Sequence, residues 1–243
     1  MTSTPQFDLN LAEFAKWLRP IAAVAKSPFG GGQTQWVRVE ATSFMDSDDG
    51  MDRVQFTCTD GAIIFALRAS AAEPPYPIVV RSGVAFVNIQ PFKAVLLKQA
   101  TNAPKEVTRI SFQASPEPEF VLGRTVVGVG GFEDGVQAAA MLARVEKYTQ
   151  NFVPPLPHLS SGFGHFGFLP MSALLELASL DRNRHGVGAG LDFLFPPNPM
   201  DPLRFASPDG QVCGAVMPQR SSSLDIAEGS WNAALSAVRK PND

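Results

Sequence analysis

Along much of the chain, apolar and polar residues alternate in short runs, and stretches with helical spacing come between these runs. The first alternating run spans residues 7–11 and is typical of a strand with one buried face. Apolar residues then recur at helical spacing from residue 11 to about 26, which predicts an amphipathic helix capped by Asn10 and bent near Pro20. Further alternating runs predict three strands, at 36–44, 53–58 and 62–69.

The order of strand, helix and strands recurs later in the chain. Each of the first two predicted helices starts with the pattern Asn-aliphatic-x-x-Phe, at Asn10 to Phe14 and at Asn88 to Phe92. The second copy is predicted as a strand at 84–88, a helix at 91–100, and strands at 107–114 and 119–129. A looser third copy is predicted as a strand at 166–169, a helix at 170–180, a strand at 191–195 and a hairpin at 203–217. Such repeats indicate a modular architecture.

The last hairpin carries the residues on which a family resemblance rests. It closes with Met217-Pro218-Gln219-Arg220, which resembles the Met-Pro-Met-Arg that closes DNA sliding clamps of the bacterial DNA polymerase III beta subunit type. Thr59-Asp60 is similar to the opening of a clamp strand, and residues 145–157 are similar to the segment that joins two clamp domains. The similarity covers about residues 5–220 and depends on order and spacing together.

The resemblance is to a DNA sliding clamp of the DNA polymerase III beta subunit and proliferating cell nuclear antigen type, in a short viral (phage) version. It implies an α+β DNA-clamp fold, with repeated strand-helix-strands units and helices on the inner face of antiparallel sheets. It also implies a polymerase processivity factor that encircles duplex DNA without sequence specificity and tethers a DNA polymerase. The implied partners are double-stranded DNA, a DNA polymerase, a clamp loader and copies of the same chain, with a trimeric ring expected. The alternative is a clamp-fold protein-binding or decoy module that does not encircle DNA.

The domain organisation is expected to depart from that of a full clamp. Residues 1–132 are predicted as one clamp domain with two units. Residues 133–220 are predicted as a reduced second domain, with a helix at 134–148 and a Pro-rich linker near 150–162. Residues 221–243 would add a C-terminal helix and a tail. That helix could dock on the protein's own surface, seal a subunit contact or cover a partner groove.

Composition and charge limit the remaining possibilities. With 45% apolar and 18% charged residues the chain is typical of a globular protein. Its formal charge of −3 means that any DNA contact must come from a local basic face. Cys58 and Cys213 lie in strand-like runs and are expected as buried free thiols in a reducing compartment. Neither a secretory leader nor a membrane span is predicted, which favours the cytoplasm of a bacterial or infected bacterial cell.

No residue pattern indicates catalysis, a cofactor or a metal site. His158, His165 and His185 are not accompanied by a nucleophile elbow, and the His and Cys spacings match no zinc pattern. The Asp-rich stretch 46–52 departs from the EF-hand spacing and is better read as a solvated turn between strands. We therefore expect a protein that is not an enzyme and that needs no cofactor or metal.

A sliding protein needs loosely placed cations near phosphates, because contacts to base edges would hold it in place. The predicted helices carry seven candidates for this DNA-facing role: Lys16, Arg19, Lys26, Lys93, Lys98, Arg182 and Arg184. Ordinary surface charge is the alternative for each of them. In the resembled family, polymerase and loader peptides insert beside the C-terminal strand. The matching groove positions here are Leu156, Ala215, Val216, Met217, Pro218 and Gln219, with Gln219 in place of the family's Met.

Overall fold

The structure is a computed structural model that describes residues 4–25, 36–60, 62–71, 77–114, 116–131, 168–185, 190–194, 202–207 and 210–216. The strands in these ranges are β1 Gln6–Asn10, β2 Trp36–Thr42, β3 Asp52–Thr59, β4 Ile63–Ala71, β5 Ile78–Arg81, β6 Gly83–Asn88, β7 Arg109–Gln113, β8 Glu119–Leu122, β9 Thr125–Gly128, β10 Asp192–Leu194, β11 Leu203–Ala206 and β12 Val212–Val216. The helices are α1 Leu11–Val24, α2, which starts as the π-helical turn Phe92–Leu96 and continues as the α-helix Leu97–Thr101, and α3 Phe168–His185.

The strands form two antiparallel sheets. One has five strands in the order β5-β1-β7-β8-β9, and the other has seven in the order β10-β11-β12-β4-β3-β2-β6. Helix α1 packs against both α2 and α3. One continuous apolar core is built from both sheets and all three of these helices. The α+β class with antiparallel sheets, predicted from the sequence, is confirmed.

An aromatic cluster joins the layers of this core. The ring of Phe56 on β3 lies 5.6 Å from that of Phe14 on α1 and 6.1 Å from that of Phe7 on β1. It also contacts Phe92 on α2 and Phe120 on β8, at 6.4 Å and 6.3 Å. Each fully buried Phe contributes about 1.5–3 kcal/mol through the hydrophobic effect, and pairs in edge or offset geometry add to this. Phe56 therefore connects the second sheet with the first sheet and with two helices.

The two Asn residues seen in the repeat each accept backbone hydrogen bonds. The Asn10 side chain caps α1, because its oxygen accepts the amides of Ala12 at 2.9 Å and Glu13 at 3.2 Å. The Asn88 side chain accepts the amide of Gln90 at 2.9 Å in the turn before α2. Helix α1 continues through Pro20, which lies inside it. Asn10 thus caps its helix directly, whereas Asn88 lies before the N-cap residue Pro91, and no side-chain hydrogen bond caps α2.

The third unit is attached directly to the first. Strand β12 pairs with β4, from Val212 opposite Leu67 to Val216 opposite Ile63. Gly214 allows this pairing, because a Cβ there would lie 2.4 Å from both the Ile64 carbonyl oxygen and the Phe205 ring. On the helix side, α3 buries Ala173, Leu174 and Leu177 in the common core. The predicted division into domains at 1–132 and 133–220 stays a prediction.

Three local expectations were wrong. Phe168 and Leu169 begin helix α3 and do not belong to a strand at 166–169. The single strand expected at 119–129 is the hairpin β8–β9, because Gly123 has a φ of +59 and turns the chain. Strand β5 was not predicted at all, because it has only four residues and follows a Pro-rich stretch. The predicted helices at 134–148 and 224–239 and the linker at 150–162 lie outside the described residues.

Candidate nucleic-acid interface and partner surface

The helices place four of the predicted DNA-facing residues on the helix layer. Lys16 on α1 is half-buried, and Arg19 on α1 is exposed. Lys93 and Lys98 are exposed on α2. Helix α1 turns Phe14, Leu18 and Ile21 into the core, so its cations lie on other sides of the helix. We call the set Lys16, Arg19, Lys93 and Lys98 the basic helix face.

The basic helix face carries little compensating charge. The sequences of α1 and α2 hold one acidic residue, Glu13, beside these four cations. Within the described ranges, none of the four cations takes part in an ion pair. Unpaired, exposed cations attract a polyanion without fixing its register.

The structure says less about the other three predicted DNA-facing residues. Arg182 and Arg184 belong to the C-terminal part of α3, which packs on α1. Lys26 lies outside the described residues. The assignment of all seven residues to DNA contact stays a prediction.

The two described groove residues lie on opposite faces of the seven-stranded sheet. Val216 is fully buried in the common core. Ala215 is buried on the other face, in a small cluster with Trp36 and Ile64. Leu156, Met217, Pro218 and Gln219 lie outside the described residues. Of the two described groove residues, Ala215 lies on the face away from the helices. The peptide groove itself stays a prediction.

Sequence reasoning missed the aromatic residue in that cluster. Trp36 is fully buried, and its ring meets that of Phe86 at 5.4 Å in an edge-on arrangement. Its indole N–H has no acceptor within the part of the chain that the structure describes. A signal was present in the alternation, since Trp36 shares a face of β2 with the polar Arg38 and Glu40. A large aromatic residue on an otherwise polar face is the sequence signal that could have marked this buried cluster.

The two cysteines are free thiols, and Cys58 is buried as expected, whereas Cys213 is only half-buried. Burial raises the pKa of Cys58 and of Cys213, and the nearby Arg68 opposes this effect at Cys213 in part. Both are therefore protonated and weakly nucleophilic at neutral pH. In the described ranges no group of three or more His, Cys, Asp or Glu side chains could hold a metal ion.

The architecture matches that of solved bacterial sliding clamps. The beta sliding clamp of C. crescentus aligns with a TM-score of 0.54 and 10% identity, over 93% of this chain and 68% of that chain. The DNA polymerase sliding clamp from Pseudomonas aeruginosa gives 0.53 and 10%, over 92% and 67%. Another structure of the clamp from Caulobacter crescentus gives 0.50 and 16%, over 90% and 66%. The chain has the sliding-clamp fold, as the resemblance implied.

The likeness lies in the fold and not in the sequence. No family model and no curated protein matches the chain by sequence. The chain spans 52% of the length of the clamp from Bartonella birtlesii and 54% of that from Bacillus subtilis. Among the described residues, no helix is both long and apolar enough to cross a membrane. The phage origin stays a prediction.

Proposed function

We propose that this chain, which has the sliding-clamp fold, is a DNA sliding clamp that encircles duplex DNA and tethers a DNA polymerase. The observation that carries the proposal is the basic helix face, on a protein whose formal charge is −3. A clamp needs cations concentrated where the duplex passes and not distributed over its whole surface. The proposal is supported by the four cations on α1 and α2, whose sequences contain one acidic residue, Glu13.

In this function the protein holds DNA by topology and electrostatics and catalyses no reaction. Lys and Arg side chains contact phosphates on either strand, which gives attraction that does not depend on base sequence. Each contact releases counterions, so the affinity falls as salt rises. Because the cations are not fixed by ion pairs with described residues, they can exchange one phosphate for the next. The duplex can then slide while the ring stays closed.

The ring itself is proposed as a homotrimer. A ring closed by chains of two clamp domains, the organisation predicted from the sequence, would contain three copies. A clamp loader would open this ring, and a polymerase peptide would bind beside β12 at Ala215 and the residues that follow it. Such a protein would work in the cytoplasm of a bacterial or phage-infected cell.

The test measures the mass of the particle in solution and asks whether its retention on DNA requires a closed circle. Light scattering at several protein concentrations gives the number of chains in the particle. The purified oligomer is then loaded on nicked circular plasmid, and retention during gel filtration is compared before and after the circle is cut. A three-chain mass with retention that is lost on linearisation is the expected result. A single-chain mass at all concentrations, or equal retention on linear DNA, would contradict the proposal.

The second candidate is a clamp-fold binding module that does not encircle DNA. The observation in its favour is that the likeness to the solved clamps lies in the fold alone, at 10% to 16% sequence identity. A single-chain mass would select this candidate, since one such chain is too short to close a clamp-sized ring.

A further inference from the structure

A loop between β2 and β3 exposes large apolar side chains. It comprises residues 43–51, and its exposed fractions are 54% for Phe44, 77% for Met45 and 36% for Met51. Single exposed apolar residues are ordinary, but three in one short loop are not. Aromatic and methionine side chains are also the types enriched where proteins bind each other.

Hydrogen bonds fix this loop in one shape. The Asp52 carboxylate accepts the Phe44 amide at 2.7 Å, and the Ser47 hydroxyl accepts the Met51 amide at 2.8 Å. The Ser43 amide donates to the Ser82 hydroxyl at 2.8 Å, which ties the loop to the turn between β5 and β6. A loop held in this way loses little conformational entropy when a partner binds.

Strand β5 is held beside the loop by a side chain. The second oxygen of the Asp52 carboxylate accepts the Val79 amide at 2.9 Å, so one side chain holds the backbones of Phe44 and Val79 together. The next residue, Val80, is 64% exposed. Strand β5 is also an edge strand of its sheet. We call the three loop side chains Phe44, Met45 and Met51 the apolar loop patch.

Acidic side chains are exposed in the same loop as the apolar loop patch. Asp46, Asp48 and Asp49 are exposed in the same loop. Hydrogen bonds from Ser82 and Ser43 lower the pKa of Asp46, so its carboxylate stays charged at neutral pH. Asp49 pairs with Arg53, which is the only basic residue between positions 43 and 53. The loop therefore combines exposed apolar side chains with a net negative charge, and Arg81 on β5 is an exposed cation nearby in the fold.

We propose that the apolar loop patch is a docking site for a protein segment that presents apolar anchors flanked by Lys or Arg. Charge complementarity selects this occupant, because the net negative charge of the loop repels nucleic acid and anionic membrane and attracts a basic peptide. The site is separate from the basic helix face and from β12. It needs neither a ring nor DNA, so it does not depend on the proposed clamp function.

The experiment uses the full chain and a defined probe. The probe is a fluorescein-labelled peptide with Leu and Phe anchors between lysines, and two further peptides replace either the lysines by Glu or the anchors by Ser. Fluorescence anisotropy gives the Kd, and amide NMR shifts locate the contact. We expect the basic apolar peptide to shift residues 43–52 and 78–82, and neither altered peptide to bind comparably.

Matched variants decide the assignment. F44S/M45S should weaken binding about tenfold or more, because buried anchors carry most of the energy of such contacts. D48K should weaken binding less and reduce its salt dependence. Val126 on β9 is 57% exposed and lies in the β8–β9 hairpin, outside the loop at 43–51. V126S therefore removes an exposed apolar side chain away from the proposed site and should leave the Kd unchanged.

Several results would overturn the proposal. They are no binding by the basic apolar peptide, binding that F44S/M45S retains, or equal binding of the acidic peptide. A dimer of the chain alone that F44S/M45S abolishes would assign the patch to a second copy instead. Because both substituted residues are exposed, unfolding of the variant is not expected, and its circular dichroism spectrum should match that of V126S.

Discussion

The basic helix face and the acidic loop at 43–51 carry opposite charges. They differ in whether hydrogen bonds and ion pairs hold the charged side chains in place. On the helices, the cations end long side chains and make no ion pair with described residues. In the loop, Asp46 and Asp52 accept hydrogen bonds from hydroxyls and amides, and Asp49 pairs with Arg53. Unfixed cations suit a partner that moves past them, whereas a fixed loop suits a partner that stays bound.

The largest effect is expected from a substitution in the core that holds both regions in place. F56A deletes the ring that contacts α1, α2 and both sheets, and it should lower the free energy of unfolding by about 3–5 kcal/mol. Urea denaturation followed by circular dichroism measures this loss. V126A is the control, because Val126 is exposed and should change stability by less than about 0.5 kcal/mol. Similar losses in the two variants would contradict the central role of Phe56.

A smaller effect is expected where the third unit joins the first. In G214A the new Cβ would overlap the Ile64 carbonyl oxygen and the Phe205 ring, which should cost about 1–3 kcal/mol of stability. Hydrogen exchange should rise in β10, β11, β12 and α3 while the β1–β7 pairing stays protected. The control is G128A, because a Cβ at Gly128 meets no atom within 4 Å. Wild-type exchange in G214A would show that this pairing does not require glycine.

The smallest effect concerns charge alone. K16E/R19E reverses two cations of the basic helix face and should reduce retention on circular DNA about tenfold, equivalent to about 1.4 kcal/mol. The dependence of retention on salt should also become weaker. R124E reverses an exposed cation in the β8–β9 turn and serves as the control. Equal retention by wild type and K16E/R19E would contradict a DNA contact at the basic helix face. Equal losses in K16E/R19E and R124E would show that only the net charge of the protein matters.

The same contrast shows which parts of the site were predictable. The sequence placed Lys16 and Arg19 away from the apolar face of α1, because helical spacing separates that face from the remainder of the helix. Their contact with DNA stays a prediction. The apolar loop patch was not found, because the Asp-rich stretch was interpreted only as a solvated turn. Nothing local to Phe44 or Met45 indicates that Ser82, far along the chain, fixes the loop. Contacts between segments distant in sequence are what single-sequence patterns do not contain.

The sequence by itself determined the elements whose signals are local. Helix α1 follows from its apolar spacing and the Asn10 cap, and the β11–β12 hairpin follows from two alternating runs around a turn. The order of these elements and the closing Met217-Pro218-Gln219-Arg220 were enough to indicate the clamp fold. Boundaries failed where the cause was a single backbone angle, as at Gly123, or a short strand, as at β5.

Only the tertiary structure decided which faces are covered and which stay exposed. It paired β12 with β4, which placed Val216 in the core and Ala215 on the opposite face. It also buried Trp36 on a face of β2 whose other residues are polar, and it left Phe44 exposed in a fixed loop. The physical reason is that burial depends on which surfaces meet after folding, whereas alternation and capping depend only on neighbours in the chain.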